Sequence, residues 1–73
     1  MEPEWIENVR NWFTYHAPKG DQPAHYEALR EAAKTFAIAI YQHTPKCPDQ
    51  TVAIRKVREA VMIANQSIAC EGK

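Results

Sequence analysis

The residues best equipped for chemistry lie between Phe13 and Gln22, which read F-T-Y-H-A-P-K-G-D-Q. Phe13 and Tyr15 offer flat rings, His16 an imidazole able to donate or accept a hydrogen bond, and Lys19 a cation, on a stretch bent by Pro18 and Gly20. Rings beside cations suit a planar, anionic ligand. Further basic residues follow in two clusters: Arg30 with Lys34 one turn later, and Arg55, Lys56 and Arg58 with only Glu59 beside them. Such clusters are commonly solvated helix surface, and phosphate binding is the sharper alternative. Each loop residue also has a plain structural use. Phe13 and Tyr15 would staple the loop to a helix, His16 would be a hydrogen-bonded loop histidine, and Arg30 would pair with Glu27 or Glu31.

Other chemistries find little support. No Ser or Cys nucleophile is locally paired with a His, no paired carboxylates stand out, and two glycines cannot build a phosphate loop, so an enzyme is not expected. His43 and Cys47 are four apart, but Pro45 breaks the turn between them and no second ligand pair follows, so no metal is expected. Nor does any residue set call for a cofactor. Cys47 and Cys70 are the only cysteines, and M-E-P-E-W-I-E-N lacks a signal-peptide pattern, which points to free thiols in a reducing cytoplasm. The longest apolar run, Phe36 to Tyr41, is far short of a membrane span. Nine basic residues balance nine acidic ones, which gives no overall attraction to DNA, RNA or an anionic membrane.

The elements that must position the loop are helical. Trp5, Ile6, Val9, Trp12 and Phe13 recur at helical spacing, predicting a short amphipathic helix over about 4–13, with Glu2, Glu4 and Glu7 in its first turns where the helix dipole favours acids. So short a helix is marginal alone and must dock on the following helices or on a neighbouring subunit. After a loop over 14–21, Asp21 reads as an N-cap carboxylate with Pro23 in the first turn of a second helix, about 22–43. Its seam is Tyr26, Leu29, Ala33, Phe36 and Ile40, with Ala32, Ala37 and Ala39 allowing close approach. Pro45 ends it. Pro48 opens a third helix, about 48–70, capped near Cys47 or Asp49, whose seam is Ile54, Val57, Val61, Ala64 and Ile68. The two seams match as an antiparallel hairpin. The expected fold is thus all-α, one domain over 1–73, a long hairpin with the short N-terminal helix packed across it.

Size limits that fold. At 73 residues, 45% apolar, a single core rarely supplies more than about 3–5 kcal/mol without a staple or a partner. Ile38, Val52, Met62 and Ile63 lie off the seams and would be exposed in a lone hairpin. Homo-oligomerisation is the expected remedy.

The stretch F-T-Y-H-A-P-K-G-D-Q, followed by H-Y-E-A-L-R-E-A-A-K and closed by V-R-E-A-V-M-I-A-N-Q-S-I-A, resembles the helical-hairpin domain of bacteriophage anti-CBASS and anti-Thoeris cyclic-nucleotide sponges. The resemblance covers residues 12 to 70 and is most specific at Phe13, Tyr15, His16, Pro18 and Gln22 and in A-V-M-I-A-N. It implies an oligomer, typically a hexamer, in the cytoplasm of the infected host. Such an oligomer holds cyclic nucleotide messengers at subunit interfaces without hydrolysing them. In the anti-CBASS branch a loop tyrosine stacks on a base and a basic residue fifteen positions later holds phosphate, and Tyr15 and Arg30 stand at that spacing. On this resemblance the ligand-binding set is Tyr15, His16, Pro18, Lys19 and Arg30, for cyclic dinucleotides such as cyclic GMP-AMP. A second pocket, for cyclic trinucleotides, would draw on Arg58, Met62, Asn65 and Gln66, although Gln66 stands where that branch has an arginine. The competing reading from another class is a structural or protein-binding helical oligomer that docks a protein through Trp5, Trp12 and the aromatic loop.

Overall fold

Prolines punctuate the chain. In the computed structural model, which describes residues 3–72, three α-helices form: α1 (Glu4–Trp12), α2 (Gln22–His43) and α3 (Pro48–Ala69). Among the described residues there is no strand. Glu2, expected to favour the start of α1, lies outside the described residues. Pro23 and Pro48 occupy the first turns of α2 and α3, where a missing N–H costs nothing. Thr44, forced out of helical geometry by Pro45, is extended at φ −127° and ψ 152°, which stops α2. Its N–H and hydroxyl both turn back onto the Ile40 carbonyl. Gln50, one of two buried residues among those described, donates from Nε2 to the Thr44 carbonyl at 3.2 Å and to its hydroxyl at 3.1 Å, locking the inter-helix turn. All described residues of the N-terminal caps lack side-chain capping bonds: Asp21 spends its carboxylate on His25 Nε2 at 3.0 Å instead of on the helix N–H groups expected of it.

α2 and α3 pack along the paired seams, but the packing is one layer thick. The molecule measures 54 × 27 × 15 Å, and its radius of gyration is 16.0 Å where a compact chain of this length would have about 11 Å. Each 22-residue helix spans about 33 Å, so the longest dimension leaves about 20 Å beyond the hairpin. α1 does not pack across the hairpin, which corrects the expected arrangement. The reason is that its anchoring is polar and sits at its last turn, while Trp5, Val9 and Trp12 remain 65%, 38% and 46% exposed. Phe36 is also 59% exposed, at the edge of the seam it was expected to fill. Cys70, at 3%, is the buried apolar residue of the described chain; no large side chain is fully enclosed. Cys47 precedes α3 and Cys70 follows it, at opposite ends of a helix about 33 Å long, so the two free thiols are far beyond bridging distance within the chain.

Candidate ligand-binding site

The loop after α1 is fixed at both ends to the C-terminus of α3. At its start, Asn11 donates from Nδ2 to the Cys70 carbonyl at 3.3 Å, and Gln66 donates from Nε2 to the Trp12 carbonyl at 2.9 Å. The Cys70 thiol lies between them, accepting from Gln66 Nε2 at 3.1 Å and donating to the Asn11 carbonyl at 3.6 Å. At the loop's end, Gln22 donates to the Ile68 carbonyl at 3.2 Å, while its Oε1 accepts from the Lys19 N–H at 3.1 Å. Lys19 Nζ pairs with Glu71 at 2.7 Å. The hydrogen bond that Lys19 donates to Glu71, and the charge of that carboxylate, raise the Lys19 pKa above its ordinary 10.5. These contacts join α1, the loop and α3 into one polar clasp. Open carbonyls at the end of a helix are natural acceptors, which is why the clasp forms there.

The clasp depends on how α3 ends. Gly72 N–H bonds the Ser67 carbonyl at 2.9 Å and Glu71 N–H bonds the Ile68 carbonyl at 3.1 Å, the paired bonds of a Schellman motif. Glu71 takes the left-handed position at φ 57°, a place that favours glycine, and this turn aims its carboxylate at Lys19. On the loop side, Gly20 at φ 60° closes the turn in which Gln22 N–H reaches the Lys19 carbonyl at 3.1 Å.

Held this way, the loop projects its rings. Phe13 and Tyr15 are each 85% exposed, so neither staples the loop to the hairpin. His16 is half-buried and donates from Nε2 to the Asn11 carbonyl at 2.8 Å, which leaves Nδ1 as its other ring nitrogen. Pro18 is exposed.

Several of the remaining residues singled out in the sequence line two shallow grooves along the hairpin, which share Ala33, Val57 and Val61 and otherwise take opposite flanks of the seam. The apolar groove, about 580 Å³, runs past Leu29, Ala32, Phe36 and Ile40. The other, about 390 Å³, is lined by Arg30, Lys34, Arg58 and Met62. Arg30 therefore lines one groove with Arg58 and Met62, from which the sequence reading separated it, and Tyr15 lines neither groove. Asn65 and Gln66 line neither groove. The Gln66 amide is committed to the clasp, and Asn65 Oδ1 is buried without a donor among the described residues. Asn11, Gln22, Gln66 and Glu71 are thus positioning residues of the loop. Sequence reasoning missed that role because each is an ordinary polar residue whose partner is a distant backbone carbonyl or side chain.

Among the described residues no group of three or more His, Cys, Asp or Glu is arranged to hold a metal, and no helix is long and apolar enough to cross a membrane. The family model described as "Acb2/Tad1, hairpin domain" matches residues 6–69. No curated protein and no solved structure gives a match.

Proposed function

Because the chain belongs to the Acb2/Tad1 hairpin family, we propose that it is a phage anti-defence sponge that sequesters cyclic nucleotide messengers between subunits of a homo-oligomer. The observation that carries this reading is the loop itself: a clasp holds it at both ends, yet Tyr15 stands 85% exposed. Exposing a large ring on a restrained loop makes physical sense when a second flat surface covers it. A purine is such a surface. In this reading Tyr15 stacks on the base, with Pro18 against the ring's edge and His16 Nδ1 facing the ligand. Arg30 of a neighbouring copy supplies the phosphate contact, since Tyr15 does not line the groove that holds Arg30 in its own chain. Lys19 adds positive potential at the loop, although its own charge is already paired with Glu71.

The magnitudes are adequate. A cyclic dinucleotide of about 45 heavy atoms, at ~0.3 kcal/mol per atom, reaches about 13 kcal/mol, near nanomolar affinity. Sequestration needs nothing more, so no catalytic group is required. Action in the host cytoplasm follows from where such messengers are made, and a hexamer is the assembly we propose.

Calorimetry against cyclic GMP-AMP, a cyclic trinucleotide and cyclic ADP-ribose isomers tests the reading. At least one should bind in the nanomolar to micromolar range and be recovered intact after heat denaturation. Tyr15→Ala and Arg30→Ala should each weaken binding about tenfold or more, the loss of a stacked base or a charge-assisted bond. Absence of binding across the panel would leave the exposed Trp5 and Phe13 as a protein-docking surface and sink the sponge reading.

A further inference from the structure

α1 carries a face that its own chain leaves open. Trp5, Val9 and Trp12 recur at four and three residues, which sets them in one stripe along the helix, and all three are exposed. Apart from polar bonds at its last turn, α1 makes no extended contact with either long helix. The hairpin has the converse feature. Its larger groove is lined by Leu29, Phe36 and Ile40 of α2 and by Ala60 and Ala64 of α3, whose small side chains leave a trough of about 580 Å³. Lys56 is the one charged residue that lines it among those described. Leu29 to Ile40 covers about 17 Å of α2, and α1, nine residues long, is about 14 Å, so stripe and trough match in length. One chain does not close this fit by itself. Gln66, whose amide holds the Trp12 carbonyl, lies two residues beyond Ala64 and therefore about 200° around α3 from it. α1 is thus fastened on the side of α3 away from its own groove.

We propose that α1 of one copy lies in the apolar groove of a second copy of this chain, with its Trp5, Val9 and Trp12 stripe against Phe36, Ala60 and Ala64. Surface area points to a second copy as the occupant. The chain exposes 6070 Å², about 1,500 Å² more than a compact monomer of its mass. That excess is about twice the ~800 Å² that a specific interface takes from each partner, as giving one helix and receiving another requires. The charges agree. Glu4 and Glu7 stand in the first turn of α1, so the acidic start of the incoming helix lies toward Lys56 and its Trp12 end toward Ala64. The contact goes beyond the homo-oligomer proposed above by naming the surfaces that meet, and it stands without any nucleotide.

Trp5 and Trp12 are the only tryptophans, so fluorescence reads the fit directly. Acrylamide should quench wild-type emission severalfold less in the associated species, identified by sedimentation, than at dilutions where the chain is monomeric. A60D keeps both tryptophans and the seam, and should be quenched at every concentration as the dilute wild type is, with helix content checked by circular dichroism. Cross-linking gives a second readout, which decides alone if A60D loses helix. On a C47S background, full chains carrying V9C and A60C, mixed and treated with a short bismaleimide, should give a linked pair joined at those two positions. V9C mixed with M62C, about 200° around α3 from Ala60, should not. A wild-type oligomer quenched as fully as A60D overturns the inference and leaves the oligomer and the sponge reading standing, as does V9C linking to M62C as readily as to A60C. A chain that stays monomeric at every concentration overturns the contact and the oligomer together.

Discussion

At the scale of single residues, Glu71 combines strain with a tether. A non-glycine residue in the left-handed region costs about 1–2 kcal/mol, and here the same residue supplies the carboxylate that holds Lys19. Glu71→Gly should therefore stabilise the helix end by about 1 kcal/mol, read as a higher midpoint in urea, while loosening the loop. Unchanged hydrogen exchange at residues 14–20 in that variant would show that the pair does not restrain the loop. The raised Lys19 pKa sets the direction with pH. The lysine's contribution is fully present below 10.5 and disappears as pH rises through the raised folded value, so on the alkaline side loop exchange corrected for intrinsic rates should increase only once pH passes that value. Residue types in the loop were legible from sequence as stacking and charge. The Glu71 role was not, because a backbone angle at a helix end decides it.

At the scale of elements, the long helices were written plainly in the chain. Pro23, Pro45 and Pro48 fix the boundaries, and the helical recurrence of Leu29, Ala33 and Ile40, spaced four and seven, with Val57, Val61 and Ala64, spaced four and three, fixes the paired faces. α1 was legible as a helix, but its placement was not. Its aromatic spacing argued for apolar docking, whereas the Asn11 and Gln66 amides bind it at its last turn and leave both tryptophans exposed. Gln66→Leu keeps the helix but removes donors to Trp12 and Cys70. It should speed hydrogen exchange in residues 11–16 while α2 and the first turns of α3 stay protected. Equal protection in the variant would argue that the clasp is redundant. Gln50→Leu tests the other end of the hairpin: losing the donor to Thr44 should cost about 1–3 kcal/mol in global stability.

At the scale of the whole molecule, the surface is too large for a finished fold. The chain exposes 6070 Å², where a compact monomer of 8.4 kDa would expose about 4,600 Å². Phe36, Tyr41, Met62 and Ile63 are 59 to 71% exposed. The off-seam residues already marked this shortage in the sequence, since two helices have only one seam to share; the stoichiometry of the assembly leaves no comparable trace. Sedimentation at micromolar concentration should give a species well above monomer mass, and Phe36→Asp, on the apolar groove, should shift it toward monomer. A wild-type monomer would overturn the assembly proposed here.

The two thiols offer a way to watch the clasp. Cys47 is half-buried beside the inter-helix turn, about 33 Å along α3 from Cys70, which is 3% exposed beneath the Asn11 and Gln66 amides. A thiol reagent should therefore modify Cys47 readily and Cys70 only when α1 and the loop lift away. The slow labelling rate is then a clock for loop opening in the native protein. A ligand that seals the loop should slow that clock without changing the fast one.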